Sequence, residues 1–290
     1  MLRFDDLPGL FQAADEAAVA GQRAYLRGHG LRLVLAVVAA ACAAVSFRVG
    51  AARTDLAAVA TALTFVVILT LDIGLLSSRP NRTWHEGRAL AEAARAVAWK
   101  YAVCGAPFEH TLSESDADGR LIDRIRQLQC SFPEVQLQPT TSAAISERMR
   151  ALRQSSFAER RQEYLEQRIH GQQCWYAAKS TRHRYRGRVL GMTALIFEIA
   201  GVSAALAKAF GAINFDLAGV VAASIAGLAA WSSARHDSRV SNLYAVTSNE
   251  LALIAETLRH TDENHWGSAV ADAEKAVSRE HVLWRTSHVE

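Results

Sequence analysis

Residues 33–47 carry no charge, and neither do residues 56–71; a short turn with Arg48, Gly50, Arg53, Thr54 and Asp55 divides them. A helix that crosses a bilayer needs about 20 mainly apolar residues. Stretches 31–52 and 56–76 reach that length if Arg32 and Arg48 snorkel, laying their stems on apolar surface and their guanidinium groups at the interface. Apolar runs this long and this poor in charge are rare in soluble cores. The expectation is therefore a transmembrane hairpin, and the competing fold is a buried hairpin in a soluble all-α protein.

A second pair of runs follows the same plan. Residues 189–210 are apolar except for Glu198 and Lys208, and residues 217–234 carry no charge. Their connection, 211–216, is as short as the first. Leu31 lies 158 residues before Val189 and Arg79 lies 156 before Arg235, so amphipathic helix, hairpin, basic exit and helix recur at one spacing. Both copies enter and leave on one side, which makes the repeat parallel rather than inverted.

Composition agrees with this division. Hydrophobic residues make up 50 % of the chain, yet mean hydropathy is only +0.04, because very apolar blocks alternate with blocks dense in Arg, Glu and Gln. The net charge of +3 is small, and no nucleic-acid partner is expected. No two of the four cysteines stand in a C-x-x-C spacing, so neither a zinc knuckle nor a redox pair is suggested. Asp5, Asp6 and Pro8 open the chain where a cleavable signal would be basic, so the first apolar helix itself is expected to direct insertion.

Between the apolar blocks the pattern is helical. A short Ala-rich helix is expected over 11–25, loosened by Gly28 and Gly30 before the membrane. Arg79-Pro80 reads as a stop, with Asn81 or Thr83 capping a helix over 83–103 and Glu86 completing a capping box. The apolar positions Leu90, Ala94, Val97, Ala98 and Tyr101 recur at helical spacing. Residues 105–139 read as irregular, with a turn or two of amphipathic helix at 121–128. Thr141 or Ser142 caps a helix through Arg153. Ser155 or Ser156 opens a longer one whose seam is Phe157, Tyr164, Leu165, Ile169, Trp175 and Tyr176. Two further helices are expected over 238–260 and 264–288. The fold class is thus an all-α membrane protein, with four transmembrane helices as two hairpins and long cytosolic amphipathic helices forming a bundle. Its parts are a first module at 1–110 (hairpin 31–78, helix 83–103), an irregular linker at 111–140 and a second module at 141–290 (hairpin 189–234).

Basic residues set the orientation. Arg23, Arg27, Arg32, Arg79, Arg82 and Arg88 flank the first hairpin, against Arg48 and Arg53 in its turn. Lys179, Arg182, Arg184, Arg186, Arg188, Arg235 and Arg239 flank the second, against Lys208. Both place the termini and the long middle in the cytosol.

Few residues in the apolar runs carry chemistry. Glu198 lies about ten residues into the third run, where an ionisable group is costly unless it meets water, a partner or a proton. It reads either as a pore-lining or proton-linked carboxylate or as a protonated group bonded to a neighbouring helix. Asp72 lies nearer the cytosolic end, within reach of the interface or of an arginine such as Arg79. Gly219, Ala223 and Gly227 form a small-residue ladder of the kind that brings helices close in lipid, as a bundle contact or an oligomer seam. Arg182, Arg184, Arg186 and Arg188 abut the membrane; topology alone explains them, and the competing readings are contact with anionic lipid headgroups or a phosphate-bearing ligand. No metalloprotease, nucleophile-elbow, P-loop or dinucleotide motif occurs, the ten histidines are scattered, and His236-Asp237 is an isolated pair. No enzyme activity, metal or cofactor is expected.

Three segments carry a family resemblance. Arg79-Pro80-Asn81-Arg82-Thr83-Trp84, Glu86 to Glu92, Ala98-Trp99-Lys100-Tyr101 and Pro107-Phe108 together resemble the post-hairpin segment of the SLATT family, the SMODS- and SLOG-associating two-transmembrane effectors of bacteria. Arg161, Tyr164, Arg168-Ile169, Gln173, Trp175-Tyr176 and Lys179 resemble the lead-in of a second such module, and Ala276 to Trp284 resembles its end. The resemblance spans nearly the whole chain as two tandem modules. It implies an inner-membrane effector that forms pores in conflict systems such as anti-phage defence, paired with a nucleotide-signalling enzyme or a sensor. It implies no catalytic residue, and no fused sensor domain of the kind some relatives carry is expected. The function expected is an oligomeric, gated pore triggered by a nucleotide signal or a partner protein. The alternative is a non-conducting scaffold whose cytosolic helices recruit a partner.

Overall fold

The computed structural model describes residues 2–45, 47–49, 54–213, 215–235 and 237–286. Gly50 and Arg53 of the first turn, His236 and the end of the last helix lie outside them. The described chain is helical apart from one short strand pair. Its helices are α1 (Gly9–Ala43), α2 (Leu56–Ser78), α3 (Pro80–Ala102), α4 (Glu114–Ser131), α5 (Glu147–Gln154), α6 (Phe157–Glu163), α7 (Gly171–Ala209), α8 (Leu217–Arg235), α9 (Asp237–His260) and α10 (Glu263–Thr286). A π-helical stretch, Tyr164–His170, joins α6 to α7 without a break. Four helical stretches are long and apolar enough to cross a membrane.

The chain folds into two compact units, each drawing on both halves of the sequence. The first comprises Met1–Gln22, Asn81–Ser180 and Asn242–Glu290; the second comprises Arg23–Pro80 and Thr181–Ser241.

The first unit is a bundle around an ordinary hydrophobic core. Leu90, Ala94, Val97, Ala98 and Tyr101 of α3 are all buried, as their spacing requires. Tyr164, Ile169 and Tyr176 continue the core on the next seam, while Trp175 stays partly exposed. Trp266 of α10 is its largest buried side chain. The indole Nε1–H donates to the Val103 carbonyl at 2.7 Å, and the rings of Phe157 and Tyr164 meet the indole edge-on at 5.5 and 5.8 Å. A buried indole needs such an acceptor, or the desolvated N–H would oppose folding. Gly87 lets α3 approach α1: a Cβ there would stand 3.0 Å from the Ala18 nitrogen.

The second unit is built the opposite way. Leu63, Phe65, Val66 and Leu69 of α2 and Leu195, Ile196, Ile199 and Val202 of α7 are all more than half exposed. The helices touch through small residues. Gly28 of α1 lies against Leu75 of α2, Trp231 of α8 covers Gly30 of α1, and Gly201 of α7 faces Val221 of α8. The link between α1 and α2 is a two-residue antiparallel pairing, β1 (Arg48–Val49) with β2 (Thr54–Asp55). The Asp55 carboxylate accepts from the backbone N–H groups of Phe47, Ala57 and Ala58, which caps α2 and fastens the link.

Several expectations change. α1 is one helix through Gly28 and Gly30, whose missing side chains admit Leu75 and Trp231 instead of breaking the helix. The helix after the first pair of runs starts at Pro80, not at a Thr83 cap. Arg79 takes a left-handed φ of 42° that ends α2, and Pro80 suits a first helical position because its absent N–H needs no partner. Glu86 pairs with Arg82 at 2.6 Å rather than reaching back as a cap. Residues 111–140 are not irregular throughout: Ser113 caps α4, which buries Ala117 and Leu121. The cap of α5 is Ser146, not Thr141 or Ser142, whereas Ser156 caps α6 with a Glu159 capping box.

Candidate functional site

Glu198 stands mid-way along the apolar part of α7, and its side chain is exposed. Among the described residues it makes no hydrogen bond or ion pair. Its place in the helix is set by flanking apolar residues, which commit α7 to the membrane whether or not the carboxyl is welcome there. Gly191 is one heptad back on the same face, where an added Cβ would meet nothing within 4 Å. Leu195 and Val202 flank the carboxyl on this face of α7 and are exposed as well. Lipid cannot satisfy it: an ionised carboxyl at bilayer depth costs about 2.5–3.5 kcal/mol or more.

The carboxylate of the first pair of runs has a partner within the chain. Asp72 of α2 pairs with Arg32 of α1 at 3.4 Å, not with Arg79. That pair needs no water-filled path, so Asp72 joins two helices. The ladder of Gly219, Ala223 and Gly227 divides its duties. Gly227 faces Val37 of α1 at 4.0 Å, Ala223 is half-buried, and a Cβ at Gly219 would stand 2.8 Å from the Asp216 carboxylate at the start of α8. Asp216 in turn pairs with Lys208 at 3.3 Å across the link between α7 and α8. Arg182, Arg184, Arg186 and Arg188 are exposed on consecutive turns of α7 as it approaches its apolar part.

The bundle holds a charge network that the sequence reading did not find. Arg168, on the π-helical stretch, lies fully buried and grips Glu274 of α10 at 2.9 Å through Nε and 2.7 Å through Nη2. The Tyr164 hydroxyl donates to the same carboxylate at 3.0 Å. Glu92 of α3, also buried, pairs with Arg88 at 2.9 Å and with Arg95 at 2.5 Å, and lies 3.9 Å from Arg168. With its oxygen turned toward the arginines, Gln172 accepts from Arg95 at 2.7 Å and from Arg168 at 3.2 Å. Burial alone would push the Arg168 guanidinium toward neutrality, but the Glu274 charge outweighs it and holds the cation more firmly than usual. Burial, then the Glu274 charge, raises the Tyr164 phenol. The π-helical stretch places Tyr164 and Arg168 together on the face opposite α10. One signal was legible: Arg168 interrupts an otherwise apolar seam beside Ile169, and Glu274 sits among alanines.

Among the described residues no group of acidic, histidine and cysteine side chains is arranged to hold a metal ion. Residues 8–161 match the family model of SMODS and SLOG-associating 2TM effector domain 3, and residues 164–284 match that of SMODS and SLOG-associating 2TM effector domain 1. Searches of curated proteins and of solved structures gave no match.

Proposed function

The chain belongs to the SMODS and SLOG-associating 2TM effectors and is a multi-pass membrane protein, and from that premise we propose that it oligomerises in the bacterial inner membrane into a gated pore. The observation that carries this reading is Glu198, exposed and without a partner among the described residues. A second copy, or a water-filled lumen that several copies enclose, would relieve the cost that lipid imposes on it. Four membrane helices are too few to surround a wide channel, so symmetry is expected to build it. In this reading the bundle and both termini are cytosolic, which the arginines approaching the apolar parts of α1 and α7 support. The bundle receives the trigger, a nucleotide signal or a partner protein, and the pore permeabilises the membrane in defence against phage or a related conflict. The protein acts by conduction rather than by catalysis.

The test is the conductance of the purified full chain in a planar bilayer, compared with Glu198→Gln at several salt concentrations. Discrete conductance whose size or selectivity changes in Glu198→Gln is the expected result. Unchanged conductance would keep the pore and remove Glu198 from its lining. Silence from correctly inserted protein, persisting after addition of nucleotide signals and candidate partners, would overturn the pore in favour of a scaffold that recruits a partner.

A further inference from the structure

The bundle contains a second arginine cluster, around an open cavity of about 230 Å³ between the loop after α3 and the α5–α6 corner. Cys104, His110, Leu112, Glu114, Arg150, Arg153, Gln154 and Arg160 line it. Three guanidinium groups therefore face one carboxylate.

Arg153 is buried and donates to the carbonyls of Tyr101 at 3.2 Å, Phe108 at 2.7 Å and Glu109 at 3.1 Å. Among the described residues it has no carboxylate partner, so carbonyl dipoles hold its charge without cancelling it. Arg160 is buried too. It donates to Glu263 at 2.7 Å and to the Ser155 carbonyl at 2.5 Å, and its Nε finds no acceptor. Arg150 stands at the rim, half-exposed, held by Asp118 at 2.8 Å and 3.7 Å from Glu114. Asp118 and Glu263 grip Arg150 and Arg160 from outside the cavity lining. Within the lining, Glu114 is tied to Gln154 at 3.1 Å.

Arg153 is a buried cation without a counter-ion, which is costly, and its repulsion from Arg150 and Arg160 is offset only in part by Asp118 and Glu263. An oxyanion among them would remove both penalties. Guanidinium forks bond tetrahedral phosphoryl oxygens well, several at a time. The Glu114 carboxylate repels anions from its side, which confines a phosphoryl group to the arginines, and half-buried Leu112 offers an apolar contact. We infer that this cavity binds a phosphoryl group, either as free phosphate or as the monoester of a small molecule such as a nucleotide. This deepens the trigger part of the proposed function, and its test reads binding alone, so a failed pore and a failed site remain distinguishable.

The experiment is titration calorimetry on the full chain in detergent at constant ionic strength, with inorganic phosphate, adenosine monophosphate and adenosine as probes. The variants are Arg150→Gln at the rim and Leu112→Trp, which fills the cavity. The control is Arg126→Gln, on an exposed α4 pair with Asp123. Arg153 and Arg160 are left alone because they hold backbone carbonyls. The expected result is binding of phosphate or the monophosphate in the millimolar range or tighter, about tenfold weaker or worse in both variants and unchanged in the control. Adenosine alone should not bind. Phosphate binding as tightly as the monophosphate would assign the free ion; binding of the monophosphate alone would assign the monoester. Heat from neither probe up to about 10 mM overturns the site. So does affinity that survives both variants in folded protein, or that falls equally in the control.

Discussion

The bundle and the apolar unit invert each other's rules. In the bundle, large apolar side chains such as Trp266, Leu121 and Tyr164 are inside, and the buried charges are tied into ion pairs or, for Arg153, held by backbone carbonyls. In the apolar unit, leucines, valines and phenylalanines line the outside, and small residues such as Gly28 and Gly201 make the helix contacts. The difference follows from solvent. Water drives apolar surface inward, whereas lipid is as apolar as leucine and leaves packing and polar contacts to hold helices together. It also changes what an exposed residue means. An exposed carboxylate on the bundle, such as Asp272, needs no explanation. Exposed Glu198 does.

Breaking the bundle's charge network should give the largest effect. Glu274→Ala leaves Arg168 buried with only Glu92 nearby at 3.9 Å, and is expected to destabilise the bundle by about 3–5 kcal/mol in denaturant unfolding. Arg168→Met combined with Glu274→Leu should recover much of that loss, because it removes both desolvated charges. If Glu274→Ala costs no more than a surface substitution, the network is not the buried ion pair described here.

A leucine comparison sharpens the contrast between the solvents. Leu121→Ala opens a hole in the bundle core, where Leu121 is fully buried, and should cost about 2–5 kcal/mol. Leu69→Ala, on a side chain 59 % exposed on α2, should cost about 0.5 kcal/mol or less in detergent, since lipid-like tails fill the space. Equal costs would mean that Leu69 is covered, by another copy or by a partner.

Much of this architecture was legible because hydrophobic periodicity and charge-free length are local signals. The buried stripe of α3 and the four apolar runs could be read directly. What escaped depended on contacts distant in sequence. Gly28 looked like a helix breaker because nothing nearby in sequence shows that Leu75 packs on it. α4 looked irregular because its acidic first turn and Gly119 mask a helix that Ala117 and Leu121, with Ile125 and Leu128 less deeply, anchor to the core. The Arg168–Glu274 pair joins residues 106 apart, and a lone arginine in an apolar seam does not name its partner. Glu198 was visible for the opposite reason: one charge inside a long apolar run stands out without tertiary information. Its exposure was not, since sequence alone does not say which face of α7 the other helices cover.

A further effect concerns pH, and it tests whether the bundle behaves as a water-facing domain. Tyr101 is buried and its hydroxyl donates to Asp118, which also accepts from Arg150 at 2.8 Å. Burial, then the bond to Asp118 and its charge, raises the phenol above its ordinary value, with Arg153 and Arg150 pulling the other way. A folded value above the unfolded one means that the neutral phenol stabilises the fold. That contribution is complete below about pH 10, the unfolded value, and is lost as pH climbs toward the folded value. Tyr101→Phe removes the hydrogen bond and should cost about 0.5–1.5 kcal/mol at pH 8. The gap between wild type and Tyr101→Phe should then narrow above pH 10, because the phenol ionises first in the unfolded wild-type chain and stabilises that state. Parallel denaturant titrations from pH 8 to pH 11 measure this. A gap that stays constant would show that Tyr101 and Asp118 are not bonded as donor and acceptor, whereas a gap that widens between pH 8 and pH 10 would show a phenol lowered rather than raised, held by Arg153 and Arg150 as a phenolate.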